Sequence, residues 1–266
     1  MAALSRLNHF DCAREGANAL RSDQRQGVLA LAFAKRVAVF GFHRVAEDRL
    51  YQLIAPFADP SVMAVGGITV LAHDDLLSRT LALSWIFGLA EEREATAGER
   101  GIYANNTAVR TAFFRDNPFP DLRAFKKQCV FWLDHIGKAG HRYVRTADAL
   151  TIHAPHPSYK FMLWRAWMTG LDRDFHGYHM KGFSRIGRLG YAVTIVVGKI
   201  ARSWLRIIRK RKTVDLPLWQ VPAAMLISLA FALVAFAAQL GSALFRSHGA
   251  LPDGYGRAAA VRIQRA

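Results

Sequence analysis

The stretch VMAVGGITVL, residues 62–71, is the strongest indication of fold class in this chain. It is apolar almost throughout and rich in β-branched residues, and the turn-forming pair Asp59-Pro60 stands just before it. A short apolar run bounded by turn residues is typical of a buried strand. The adjacent glycines Gly66 and Gly67 predict a break within this strand.

Helical and strand patterns follow one another on both sides of this stretch, without strict repetition. They predict, in chain order, a buried strand or short helix at 28–42, helices at 47–57, 76–90, 107–114 and 119–140, and a strand at 141–153. Gly140 closes the last of these helices. Such a mixture predicts an α/β domain that extends to about residue 175.

Positive charge is concentrated in one part of the chain. The 266 residues carry a formal net charge of +16, and the segment 175–214 contains ten Lys or Arg and no acidic residue. The charge-free segment 216–245 follows almost at once. This arrangement favours a membrane over a nucleic acid as partner, because the basic residues are not interleaved with exposed aromatic residues. Cys12 and Cys129 have no metal-ligand or redox spacing, and they predict a reducing, cytosolic compartment.

Residues 181–212 form an amphipathic pattern. On a helical wheel at roughly 100° per residue, seven of the basic residues fall within an arc of about 120°. They are Arg185, Arg188, Lys199, Arg202, Arg206, Arg209 and Lys210. Apolar residues occupy the opposite face, which predicts a helix lying in a membrane interface. The alternative is a soluble amphipathic helix packed against its own domain.

Residues 216–245 are long enough to cross a bilayer, which needs about 20 apolar residues. The basic run 209–212 precedes this segment, and Arg246 alone follows it closely. The positive-inside rule therefore places residues 1–212 in the cytoplasm and the short tail outside. The sequence predicts a single-pass protein of the inner or plasma membrane, and the alternative is a buried core helix.

Three motifs follow one another in the chain: FADPSVMAVGG at 57–67, NNTAVR at 105–110 and AGHRYVRTADALTIHAPHP at 139–157. In this order they resemble the C-terminal half of glycosyltransferase family 2, over roughly residues 44–175. The resemblance implies a GT-A fold and transfer of a sugar from a nucleotide-sugar donor, usually with inversion and a divalent metal, Mn²⁺ or Mg²⁺. The amphipathic and charge-free segments suit an acceptor that is lipid-linked or close to a membrane.

The resemblance also implies roles for individual residues. Asn105, Asn106 and Arg110 would form the acceptor edge, where amide side chains suit sugar hydroxyls because each offers donor and acceptor atoms. From the residues alone, the asparagine pair also fits a turn that caps an ordinary helix. His153 would complete the metal shell, for which a neutral imidazole is suitable. Its alternative is a hydrogen-bonded histidine at the end of a strand.

The chain departs from the family at two sets of carboxylates. The acidic pair that holds the metal would fall at Gly41–His43, where the first two side chains offer no ligand atom. Gln128 and Cys129 stand where the family has its general base. A cysteine acts as a base only as a stabilised thiolate, and the alternative for Cys129 is a small buried helix residue. Residues 1–43 do not resemble the donor-binding half, so we expect a chain truncated or degenerate at its N-terminus.

The sequence thus predicts a partial GT-A-like α/β domain followed by an amphipathic helix and one transmembrane helix. The predicted segments are a poorly matched start (1–43), the glycosyltransferase-like domain (44–180), the basic interfacial helix (181–212), the transmembrane helix (216–245) and a tail (246–266). Two functions remain open. One is a membrane-anchored glycosyltransferase whose catalytic half is incomplete. The other is a non-catalytic membrane-associated protein, derived from the same scaffold, that binds a glycan or a partner enzyme.

Overall fold

A computed structural model of the protein describes residues 37–40, 49–84, 87–92, 106–120, 122, 128–153, 158–246 and 248. The α-helices are α1 (Arg49–Ile54), α2 (Leu76–Ser84), α3 (Thr111–Asp116), α4 (Gln128–Lys138), α5 (Tyr159–His179), α6 (Arg185–Lys210) and α7 (Val221–Phe245). The strands are β1 (Val37–Phe40), β2 (Val62–Leu71), β3 (Thr107–Arg110) and β4 (Arg142–His153). Short 3-10 helices lie at Ala55–Ala58, Ala90–Glu92, Arg211–Val214 and Leu218–Gln220. The predicted mixed α/β class is confirmed.

The chain divides into two compact units. The sheet unit comprises the described residues of 1–69, 92–118 and 136–152, and the helical unit comprises those of 70–91, 119–135 and 153–266. The domain predicted at 44–180 therefore contributes segments to both units.

The four strands form one sheet in the order β1-β3-β2-β4. Strand β3 is antiparallel to both of its neighbours, with Val109 opposite Ala38 of β1 and opposite Ala64 of β2. Beyond the end of β2, the N–H of Ala72 donates to the carbonyl oxygen of His153 at the end of β4 (2.9 Å). The core of the sheet unit includes a cluster of Leu53, Phe57, Val62, Val65, Ala108 and Ala149. The strand predicted at 62–71 is confirmed with both of its ends, and its burial explains its apolar sequence, but the break predicted at Gly66 and Gly67 is wrong because β2 runs continuously through both glycines.

The helix predicted at 107–114 is wrong in its first half. Residues Thr107–Arg110 form β3, and α3 begins only at Thr111. All four residues pair with β1 and the first three also pair with β2, and the β-branched Thr107 and Val109 suit a pleated surface. Tertiary pairing therefore outweighs the helical spacing of the apolar residues.

Two other predicted helices are shorter in the structure. Helix α4 begins at Gln128 instead of residue 119. Pro120 contributes to this, because a proline disfavours the helical conformation in the residue before it. The end of this helix is confirmed: Gly140 has a φ of +80°, which closes the turn that follows. Helix α2 ends at Ser84, well before the predicted residue 90.

Helix α7 packs against α5, α6 and α2 in the helical unit. It comes so close to α5 that a Cβ atom at Gly170 would overlap the carbonyl oxygen of Ala235 and lie 2.8 Å from Ala238 Cβ. Small residues permit such an approach of two helix backbones. Among the described residues, Leu218–Phe245 is the one helical segment long and apolar enough to cross a membrane.

Candidate functional site

Asn106 occupies a buried position at the start of β3. Its side-chain amide nitrogen donates to the carbonyl oxygens of Ile68 in β2 and Ala149 in β4, both at 2.9 Å. The side chain passes over Gly67, where a Cβ atom would lie 2.8 Å from Asn106 Cγ and closer still to the amide nitrogen. The glycine of β2 therefore makes room for an amide that ties three strands together, and both N–H groups of this amide are used within the protein.

Arg110, at the end of β3, holds the connection between α1 and β2. Its guanidinium donates to the carbonyl oxygens of Val62 (2.8 Å), Phe57 (2.9 Å) and Asp59 (3.0 Å). The guanidinium carbon also lies 5.2 Å from the centre of the Phe57 ring. Three carbonyl partners and an aromatic face suit the planar fork of arginine. The acceptor-binding role of Asn106 and Arg110 stays a prediction, and Asn105 lies outside the described residues.

The same connection carries a second arginine contact. Asp59 accepts hydrogen bonds from the N–H and hydroxyl of Ser61, at 2.8 and 2.7 Å, and pairs with Arg142 of β4. The Ser61 hydroxyl, then the Ser61 N–H and Arg142, hold the pKa of Asp59 below its ordinary value. The DPS turn of the first motif is therefore attached to β3 and β4 by two arginines.

Arg110 gives a test of this arrangement. We expect Arg110→Lys to destabilise the sheet unit by about 2 kcal/mol, because an ammonium group cannot reach three carbonyls in one plane and hydrogen bonds to charged groups are worth about 1.5–3 kcal/mol. The readout is hydrogen exchange of peptides covering 57–66, followed by mass spectrometry. The control is Arg115→Lys on the exposed side of α3, which should change protection by less than about 0.5 kcal/mol. Equal protection in the two variants would show that the guanidinium of Arg110 does not hold the connection between α1 and β2.

The remaining predicted site residues lie in the helical unit. Gln128 and Cys129 are the first two residues of α4 and are half-buried. His153 ends β4, and its ring stands edge-on to Phe87 with ring centres 5.8 Å apart. Their roles as weak candidates for base and metal ligand stay predictions. The predicted metal position at Gly41–His43 lies outside the described residues.

The helical unit also contains a buried ion pair that the sequence did not single out. Arg188 Nη1 lies 2.7 Å from Asp174 Oδ2, and the same oxygen accepts from the Ser242 hydroxyl (2.8 Å) and lies 2.7 Å from His248 Nε2. Arg188 Nη2 donates to the carbonyl oxygen of Ala243 (3.2 Å). We call Asp174, Arg188, Ser242 and His248 the charge cluster. It joins α5, α6 and the C-terminal end of α7.

The charge cluster keeps its carboxylate ionised. Burial raises the pKa of Asp174, but hydrogen bonds from His248 and Ser242 and the charge of Arg188 outweigh it, so the pKa lies below its ordinary value. The sequence does contain a signal for this site. Asp174 is the last acidic residue before the long basic segment, and Arg188 is the second arginine after it. The helical wheel placed Arg188 on an exposed basic stripe, whereas the structure buries it.

Helix α6 presents apolar residues to the outside. Ile186, Val193, Val197 and Ile208 are 81%, 51%, 62% and 55% exposed. The wheel places these four side chains on one side of the helix, opposite the basic arc. We call them the apolar row. Through another face, helix α6 packs against α2, α5 and α7 of its own unit, as the alternative of a helix packed on its domain expects, and it leaves this row exposed.

No protein-family model matches this chain, and no curated protein matches it significantly.

Proposed function

We propose that this protein is attached to a membrane and is built on the scaffold of glycosyltransferase family 2. It transfers a sugar to, or binds a sugar on, a lipid-linked or membrane-proximal acceptor. The observation that carries the proposal is the position of the three motifs. The first runs into β2, the second runs into β3 and the third includes β4, and these are neighbours in the sheet order β3-β2-β4. Segments far apart in the chain thus meet in one sheet, as a shared binding edge requires.

The nucleotide-sugar donor and the divalent metal come from the resemblance, and the described residues do not fit the metal. Mn²⁺ and Mg²⁺ are held mainly by carboxylate and other oxygen ligands. His153 supplies one imidazole, and within the described ranges it belongs to no group of three His, Cys, Asp or Glu side chains. We derive no step through a metal.

The non-catalytic alternative has a specific observation in its favour. The amide N–H groups of Asn106 and the guanidinium of Arg110 already bond to main-chain carbonyls. These donors stabilise the sheet, and Asn106 is fully buried, so both side chains have a structural role within the protein. A protein that keeps this scaffold without metal-binding carboxylates would bind a glycan without transferring one.

We expect the purified full-length protein to bind a lipid-linked sugar and to release no nucleotide from a sugar donor. In the family that the motifs resemble, a metal held by carboxylates neutralises the departing diphosphate, and Gly41 and Phe42 offer no ligand for one. The assay incubates the protein in detergent micelles with UDP-glucose, UDP-N-acetylglucosamine or GDP-mannose, plus Mn²⁺ or Mg²⁺, and measures free nucleotide. Calorimetry with a polyisoprenyl-phosphate glucose measures binding.

The outcomes separate the two functions. Nucleotide release that falls at least tenfold in His153→Ala would identify an intact enzyme and contradict the expected inactivity. Binding of the lipid-linked sugar without release supports the non-catalytic form. The proposed function would be overturned if the protein neither bound the lipid-linked sugar nor released nucleotide.

Membrane attachment rests on the apolar segment Leu218–Phe245 and on the exposed apolar row of α6. The single-pass arrangement, with residues 1–212 in the cytoplasm, remains the prediction of the positive-inside rule. The contacts between α6 and α7 restrict which membrane arrangements are possible.

A further inference from the structure

Helices α6 and α7 lie side by side and run in opposite directions. Arg188 Nη2 bonds to the carbonyl oxygen of Ala243, and Trp204 Nε1 donates to the carbonyl oxygen of Met225, both at 3.2 Å. At 1.5 Å per residue, the two contacts are roughly 24 Å apart along α6 and roughly 27 Å apart along α7. The two helices therefore lie antiparallel, with nearly parallel axes, over most of their length.

This pairing restricts how the helices meet a membrane. The hydrocarbon core of a bilayer is about 30 Å thick, so groups in hydrogen-bond contact lie at the same depth. The charge cluster holds the end of α5, the start of α6 and the end of α7 together. If α7 crossed the bilayer with α6 lying on the surface, these contacts would be separated by the whole membrane.

Two arrangements preserve the contacts: an upright hairpin, in which α6 crosses beside α7, and a hairpin that lies in one leaflet. Basic side chains along α6 decide between them. Counting from the two contacts, Lys199 lies nearly level with the middle of α7, and Arg202 is exposed less than one turn further on. An upright hairpin would place both in the hydrocarbon, where charged groups are rare and costly. The in-plane arrangement keeps them near the headgroups.

Both helices also have the exposed apolar side chains that an in-plane arrangement needs. The apolar row runs along α6, and α7 exposes Leu226, Leu233 and Leu244 in a single stripe. An amphipathic helix such as α6 buries its apolar face about 5–10 Å into the acyl boundary, and basic residues strengthen its binding to anionic lipid. The run Arg209–Lys212 at the hairpin turn supplies such charge.

We propose that α6 and α7 insert side by side into one leaflet of an anionic bilayer, with the hairpin turn and both outer helix ends on the same side. The inference rests on the membrane attachment proposed above, and it replaces a crossing helix by a monotopic one. The charge cluster fixes the two outer ends together, and the basic residues of α6 keep the pair at the surface.

The test uses single cysteines in the full-length chain with Cys12 and Cys129 replaced by serine. The sites are Lys181→Cys before α6, Lys212→Cys at the hairpin turn and Arg246→Cys after α7. Each variant is labelled with a membrane-impermeant maleimide in intact spheroplasts and in inverted vesicles. We expect all three sites to react from the same side.

The other labelling patterns overturn the proposal in different ways. An upright hairpin would place Lys212→Cys alone on the opposite side, and a single-pass helix would place Arg246→Cys alone there. Labelling is paired with flotation on vesicles of phosphatidylcholine and phosphatidylglycerol at low and high salt. A protein that fails to float would overturn membrane attachment itself, whereas a floating protein with divided labelling would overturn only the in-plane arrangement.

The apolar row is tested by the same flotation assay. We expect Val193→Asp/Val197→Asp to lower the bound fraction at high salt at least tenfold, because salt screens lipid charge but not apolar burial. Thr194→Asp, exposed beside the row, is the matched control and should float like the unchanged protein. Equal flotation of the two variants would show that this face does not contact lipid.

Discussion

Replacing Gly67 by alanine should strongly destabilise the sheet unit. The new Cβ would overlap the carbonyl oxygen of Ala149 and the side-chain amide of Asn106, and both are fixed by their hydrogen bonds. Expelling the amide leaves buried polar groups unpaired, at about 1–3 kcal/mol each, and overpacking adds a similar amount. The expected loss of unfolding free energy is about 3 kcal/mol or more.

Hydrogen exchange measures this effect locally, which matters because a chain of two units need not unfold in one step. Peptides covering 62–71 and 142–153 should lose protection together, since Asn106 links both strands. The control is Gly190→Ala on α6, where the added Cβ meets nothing within 4 Å. Alanine there should be neutral or stabilising by up to about 1 kcal/mol through helix propensity. Unchanged protection of both strands in Gly67→Ala would refute the role given to this glycine.

How far the sequence predicts this fold depends on whether a segment's partners are local. The strand at 62–71 and the closing Gly140 were predictable because apolar composition and turn chemistry act within the segment. Residues 107–110 were not, because their strand conformation comes from pairing with β1 and β2, whose positions the local pattern does not contain. Long-range pairing of this kind overrides helical spacing.

The site residues show the same limit. Asn106 and Arg110 stand out in the sequence as polar residues beside apolar ones, yet their bonds to carbonyls 38 to 53 positions away follow only from the folded sheet. The buried position of Arg188 was missed for a related reason. A helical wheel shows which residues share a face, but it does not show whether that face meets water, lipid or another helix.

Removing one charge of the charge cluster without its partner should cause a large loss of stability in the helical unit. Asp174→Leu leaves the buried guanidinium of Arg188 without its carboxylate and takes the acceptor from Ser242 and His248. Breaking a buried pair in this way costs about 3–5 kcal/mol. Tryptophan fluorescence of the full-length protein in detergent micelles, followed during heating, should show a markedly lower midpoint for this variant.

The double variant Asp174→Leu/Arg188→Met decides whether the loss arises from an unpaired charge or from packing. Replacing both partners by apolar side chains of similar volume is often neutral, so the midpoint should recover most of the way. The unchanged protein should also lose this contribution in acid. Because the pKa of Asp174 is lower in the folded state, the stabilisation is present at neutral pH and disappears as the pH falls through that pKa, and both variants should lack this part of the pH dependence. A double variant as unstable as the sum of the two single changes would show that shape, and not charge, holds the three helices together at this end.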